Sequence, residues 1–250
     1  MKVHPREIYR LLRGSVPNGK HVSELIIGLT WTYCRVDGVG LCMSPGISTR
    51  TLSWSGTIVN TPVEDLAVWL ESWDSYQATV GMAAVNAVIN HTSPLLAAAQ
   101  PLKPQKSPNL AVFEYFLPLM RSQKVVVIGR YPGLSVYEQE VDLTVLERQP
   151  SPQDLPDIAC EYLLPDADWV FLTATSIANK SFPRLVELSQ HANLVLMGPT
   201  LPWLEDLGRM GIDYLAGVAV THPQRLRQTI CEGGGVRIFE TGVEYRVLKF

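Results

Sequence analysis

Apolar positions are distributed differently in the two halves of the chain, and the difference predicts two kinds of unit. In the second half, Lys124–Gly129, Asp142–Glu147, Asp168–Ala174, Asn193–Gly198 and Ile212–Val220 are runs dominated by Val, Leu, Ile and aromatic residues, the pattern of strands buried on both faces of a parallel sheet. Helical signals lie between or after them: Ser181–Gln190, Pro202–Met210 closed by Gly211, and Thr221–Glu232 closed by Gly233. This alternation predicts a mostly parallel α/β sheet with right-handed crossovers and helices on both faces. Val236–Glu240 and Val243–Leu248, separated by Thr241-Gly242, predict a terminal hairpin of antiparallel edge strands.

The first half does not alternate in this way. Pro5–Leu12 predicts a short helix with Ile8, Leu11 and Leu12 as its apolar stripe, closed by Gly14. Glu24–Val36 and Val39–Met43 flank Asp37-Gly38 and predict a β-hairpin. Thr61-Pro62-Val63-Glu64 has the form of a capping box and opens a helix with Val63, Leu66, Ala67, Leu70 and Trp73 on one face. A second helix, Ser75–Asn90, places Ala78, Met82, Val85 and Ile89 on one side and Thr79, Ala83, Asn86 and Asn90 on the other. Hairpin and helix pair make a smaller α+β unit. The expected division is therefore residues 1–92, a linker at 93–109 that carries prolines 94, 101, 104 and 108, and residues 110–250.

Composition narrows the function classes. A 46% apolar, 18% charged chain with net charge −3 lacks the basic excess that phosphate neutralisation demands, so no nucleic-acid partner is expected. No apolar run is long enough to span a bilayer and the start has no secretory apolar segment, so no membrane partner and a cytoplasmic location are expected. Cys34, Cys42, Cys160 and Cys231 form no Cys-x-x-Cys pair, which suits buried thiols in a reducing compartment. Cys34 and Cys42 fall on different faces if the hairpin turn has two residues and side by side if it has three. Even then they are two soft ligands, and the histidines show no spacing that completes a set.

Ligands of open α/β sheets bind beyond the carboxyl ends of the strands. There the chain carries Gly129-Arg130-Tyr131-Pro132-Gly133, Glu147, Thr173-Ala-Thr175-Ser176 with Asn179, Gly198-Pro199-Thr200, and Gly217. Turn amides, hydroxyls and the Arg130 fork suit a phosphate, carboxylate or carbonyl. Tyr131 and Leu134 stand where a dinucleotide fingerprint needs its second and third glycines, so an ordinary NAD site is disfavoured although Glu147 is placed like a ribose-binding acid. Gly-x-Ser-x-Gly, Gly-x-x-x-x-Gly-Lys and His-Glu-x-x-His motifs are all absent from the sequence.

The ordered set Gly129-Arg-Tyr-Pro-Gly133, Val145-Leu-Glu147, Ala167-Asp168 with Thr173-Ala-Thr-Ser176 and Asn179, Gly198-Pro-Thr200 and Leu215-Ala-Gly217, together with Gly81-Met-Ala-Ala-Val-Asn86-Ala in the first half, resembles a family named for heavy-metal chelation. The resemblance covers most of the chain. It implies a Rossmann-like α/β domain preceded by a smaller α+β domain like the N-terminal domain of enolase. With the converging loops, it leads to the expectation of a small anionic molecule or metal chelate between the two and a divalent or heavy metal ion as cofactor, while the shared helical face of Thr79, Ala83, Asn86 and Asn90 would turn Asn86 into the cleft. The alternative expectation is an enzyme acting on a phosphorylated or heterocyclic, pterin- or nucleotide-like metabolite, with Arg130 and backbone amides stabilising charge and Glu147 orienting the ligand. A scaffold without chemistry and a homo-oligomer are also compatible with the sequence.

Overall fold

Local signals explain most elements of the computed structural model, which describes residues 4–250. In the first unit α1 (Glu7–Gly14) precedes β1 (Glu24–Ile27), β2 (Trp31–Arg35) and β3 (Val39–Met43). The expected hairpin is a three-stranded antiparallel meander, because Gly28-Leu29-Thr30 breaks the long first arm with a turn closed by Gly28 N–H donating to Trp31 O at 3.0 Å. Arg35 pairs with Val39, so the second turn has three residues and Cys34 and Cys42 share a face, offset diagonally. Next come α2 (Val63–Val68) and α3 (Ser75–Thr92). The capping box does not form: Pro62 is the N-cap residue of α2 and makes no side-chain cap, while Glu64 Oε1 accepts from Gly19 N–H at 3.2 Å. At α3 the Asp74 carboxylate accepts from Tyr76 and Gln77 N–H, both at 2.9 Å, a side-chain cap that the sequence reading did not identify.

The segment expected as a linker is folded. Ser93 caps α4 (Pro94–Ala98), and β4 (Gln100–Pro101) pairs with the last strand of the large sheet. There follow α5 (Ala111–Met120), β5 (Lys124–Ile128), β6 (Asp142–Glu147), β7 (Leu155–Pro156), α6 (Cys160–Leu163), β8 (Trp169–Thr173), α7 (Thr175–Ala178), α8 (Phe182–Leu188), β9 (Asn193–Met197), α9 (Asp206–Arg209), β10 (Tyr214–Val220), α10 (Pro223–Cys231), α11 (Ile238–Thr241) and β11 (Val243–Lys249). The eight-stranded sheet has the order β4-β11-β10-β9-β8-β5-β6-β7, parallel from β10 to β7. Chain order reverses between β5 and β8, the switch point at which α/β sheets open a crevice. The terminal hairpin is absent: residues 238–241 are helical, and β11 pairs antiparallel with β10 over its full length. Val236–Glu240 alternates weakly enough to suit a short helix as well, and the long β10 ladder takes β11 as its partner.

Strand alternation divides the core. Val126, Ile128, Val170, Leu172, Leu194 and Leu196 face a cluster that runs through α8 into α1, α2 and α3 of the first unit. Val125, Val127, Phe171, Val195 and Met197 face α5, α10 and α11 together with Trp31, Tyr33 and Leu41 of the small sheet. Helix α3 is buried at every position from Ala78 to Ile89. Its contact with β3 requires Gly40, where an added Cβ would lie 2.1 Å from Ala83 O and 2.2 Å from Ala87 N. Gly40→Ala is therefore expected to lower the unfolding free energy by about 2–3 kcal/mol or prevent folding, as overpacking against fixed backbone does. Gly14→Ala, with no atom within 4 Å of its added Cβ, should stay within about 0.5 kcal/mol of the parent in the same urea titration.

Candidate functional site

The loops beyond the parallel strands come together, but most of their polar groups are already engaged. Gly129 turns with φ +93° and donates to Leu146 O at 2.9 Å. The amide of Arg130, which sequence logic offers to an anion, donates instead to Glu147 Oε2 at 2.9 Å, while Glu147 Oε1 accepts from Arg148 N–H at 2.7 Å. Arg130 turns its guanidinium to Asp154, with Nε 2.6 Å from Oδ1. The Asp154 side chain is 1% exposed and accepts further from Ser151 N–H and Oγ–H at 3.0 and 2.7 Å. The Arg130 guanidinium, aided by Ser151, holds this carboxyl down at about 2. Pro132 O accepts from Asn109 Nδ2 at 2.8 Å, and Gly133 has φ +85°.

Tyr131 crosses from this turn over the ends of the neighbouring strands. Its ring meets Phe113 edge-on at 5.3 Å, and a Cβ built on Gly198 would lie 3.3 Å from its hydroxyl. Burial raises its pKa, and a hydrogen bond with Thr173 opposes the rise. Thr173 Cγ2 stands 3.3 Å from where a Cβ on Gly129 would be. Thr175 Oγ1 is 3.5 Å from Thr200 Oγ1, which accepts from Met43 N–H at 3.0 Å. Residues 129–133, 147, 173–175 and 198–200 thus form one contiguous edge. Ser176 is fully buried with an unpartnered hydroxyl, and Asn179 caps its own loop by accepting from Ser181 N–H and Oγ–H.

The first unit closes over this edge through α3. Asn86 is fully buried and donates to Leu41 O at 3.0 Å and to Thr200 O at 2.8 Å. Asn90 donates to Leu201 O and accepts from Trp203 N–H, at 2.9 and 2.8 Å. Ser93 donates to Trp203 O at 2.8 Å. The polar face of α3 therefore meets backbone of the second unit directly. Beside this seam a cleft of about 300 Å³ stays open, walled by Arg35, Asp37, Leu41, Asn90, His91 and Leu96 on one side and Pro199, Val218, Ala219, Val220 and Pro223 on the other. Arg35 and His91 enter no salt bridge among the described residues, whereas Asp37 is paired with Lys20. Sequence reasoning had no signal for Arg35, which looks like any charged residue beside a turn. Lys180, with φ +73° and Nζ 2.8 Å from Ala178 O, was equally unannounced; burial brings its ammonium down to about 8.

A family model named DUF364, described as "Putative heavy-metal chelation", matches residues 111–249, and a second model with that description, DUF4213, matches residues 9–89. The chain belongs to this family. A DUF364-family protein of unknown function from Desulfitobacterium hafniense, known from a crystal structure, is 30% identical and matches with a TM-score of 0.83 over 98% of each chain. Another from Pyrococcus horikoshii is 20% identical with a TM-score of 0.81, over 98% of this chain and 99% of that one, and bears on the fold alone. An uncharacterised protein of Methanocaldococcus jannaschii is 26% identical over 170 residues; the match spans 65% of this chain and 62% of the relative's length. Family members with solved structures thus share both the mostly parallel sheet and the small unit before it.

The family's description calls for a metal test of the donor set. Cys34 and Cys42, the soft donors on one face of the meander, are fully buried in the core, where burial pushes each thiol up to about 12. Thiolates, the form that binds soft metals, are disfavoured there. Cys160 is likewise raised by burial, and no group of three or more His, Cys, Asp or Glu among the described residues is placed to hold an ion. These residues do not fit a resident heavy-metal site. No helix among the described residues is long and apolar enough to cross a membrane.

The Arg130–Asp154 pair gives a pH-dependent test. Asp154→Asn should lower stability at pH 7 by about 1–3 kcal/mol, the cost of leaving a partly buried guanidinium without its carboxylate. Because the folded carboxyl titrates below its unfolded value, the parent's advantage is complete above pH 4 and is lost as pH falls towards 2. Urea titrations of both proteins between pH 7 and 2.5 measure it, and a difference that does not change with pH would contradict the assignment.

Proposed function

We propose that this protein binds a small anionic molecule, or a metal already held in an anionic chelate, in the cleft between its two units. The observation that carries this reading is the cleft itself. Both units wall it, it lies beyond the carboxyl end of β9 and alongside the last residues of β10, and Arg35 and His91 stand at it without salt-bridge partners among the described residues. Its volume of about 300 Å³ is at the lower end of the range for small-molecule sites. Apolar walls from Leu41, Leu96 and Val218 supply a dry surface on which a few polar groups can orient a guest. The Gly129–Gly133 turn, Glu147, Thr173, Thr175, Gly198 and Thr200 act in this reading as the frame that fixes Pro199 and its neighbours, and Asn86 holds the frame to the first unit.

Thermal-shift and native mass-spectrometric screens of the purified protein against divalent metals, phosphates, nucleotides, pterins and small polycarboxylates test the proposal. At least one anionic compound should raise the melting temperature and be retained. Leu96→Trp, which fills the cleft, should abolish the shift. Retention of no compound, or retention unaffected by Leu96→Trp, would contradict the proposal.

A further inference from the structure

Resting on the reading of the cleft as a ligand site, we infer that its specificity is for the acid group of an organic ligand, anchored by Arg35 and by the unpaired edge of β10, and that it does not take a bare heavy-metal ion.

Two observations carry this. The first is charge. Of the ionisable side chains lining the cleft, the Asp37 carboxylate is ion-paired at the surface with Lys20, whereas the guanidinium of Arg35 and the imidazole of His91 have no such partner among the described residues. A cation entering between them would meet a fixed positive charge and one imidazole. A carboxylate or phosphate would meet a planar fork of donors suited to bidentate pairing. The second is backbone. Pairing of β10 with β9 covers only Tyr214–Ala216, and Gly198 N–H closes it by donating to Ala216 O at 3.0 Å. Beyond that point β10 continues to Val220, held on its other side by β11.

Strand geometry turns alternate residues to the same side, so Val218 and Val220 present amides and carbonyls along the side from which β9 has ended. Val218, Ala219 and Val220 all line the cleft. A ligand with an acid group and an amide-like or heterocyclic edge would pair its acid with Arg35 and lay that edge along β10, in the manner of a short added strand. His91 is packed against the three-residue turn, its Cβ only 2.6 Å from where a Cβ on Gly38 would be. This fixes the width of the mouth and favours a flat guest. In a metal chelate, the protein on this account grips the chelator and leaves the coordination sphere to it.

Isothermal titration of the whole protein with zinc chloride, inorganic phosphate, citrate and pyridine-2,6-dicarboxylate, each alone, tests the inference. Parent protein, Arg35→Ala, Arg35→Lys and the cleft-filling Leu96→Trp are compared. Arg35 is exposed, so its replacement should leave folding intact, which far-ultraviolet circular dichroism checks. At least one of the three acids, with pyridine-2,6-dicarboxylate the best, should bind the parent and weaken about tenfold or more in Arg35→Ala, in line with loss of a charge-assisted hydrogen bond. Arg35→Lys should restore part of the affinity, and Leu96→Trp should abolish it. Zinc binding that Leu96→Trp blocks and Arg35→Ala leaves unchanged would overturn the inference while leaving the cleft as a ligand site. Acid binding indifferent to Arg35 but lost in Leu96→Trp would do the same. If none of the four binds, or Leu96→Trp changes nothing, the cleft reading fails and this inference fails with it.

Discussion

Helix α3 has no solvent-facing side over twelve consecutive residues, Ala78 to Ile89, and the rest of the molecule is arranged around that constraint. A helix covered all round needs neighbours on every side: β3 at Gly40, α2 at Gly81, and the second unit through Asn86 and Asn90. Small residues allow the close approach, and two amides satisfy backbone groups that would otherwise be buried without partners. Asn86 is the centre of this arrangement because one side-chain nitrogen joins the meander at Leu41 O to the loop after β9 at Thr200 O. The hydrophobic cluster is accordingly continuous between the units.

That seam determines where a ligand has room. Directly under α3, the switch-point edge is filled by the chain's own groups: Glu147 takes the Arg130 amide, Asp154 takes the Arg130 guanidinium, and Tyr131 lies across the ends of the strands. Space opens at the margin of this edge, where the last turn of α3 carries His91, the meander turns at residues 36–38, and β10 outruns β9. The open space thus lies two strands along the sheet from the switch point between β5 and β8, beside the end of β9. The family's description in terms of metal chelation is compatible with this if the metal arrives inside its chelator.

Much of the fold was legible in the sequence for a definite reason. Strands buried on both faces, such as Lys124–Ile128 and Asn193–Met197, need continuous aliphatic runs, and few other elements do. Where patterning was ambiguous the reading failed: Val236–Glu240 alternates like a strand yet folds in part as α11, because β10 already had β11 as its partner. Segment 93–109 looked like a linker because its prolines begin α4, sit in the edge strand β4 and start a short turn before α5, roles that composition does not distinguish from disorder. The candidate site was legible in half. The glycine, threonine and asparagine positions marked the loops that converge, but the partners of Asn86 and Asn90 are carbonyls and an amide of the main chain, which carry no sequence signature. Arg130 found Asp154 24 positions further along the chain, beyond β6, and the cleft arises from where strands end, a property of register.

Unfolding of the parent and of Asn86→Ala, followed together by scanning calorimetry and tryptophan fluorescence, tests most directly whether α3 welds the units into one body. A single transition is expected in both proteins, coincident by the two probes and moved as a whole to lower stability by about 1–3 kcal/mol when the buried amide is lost. Two separable transitions, of which the substitution shifts only one, would contradict it.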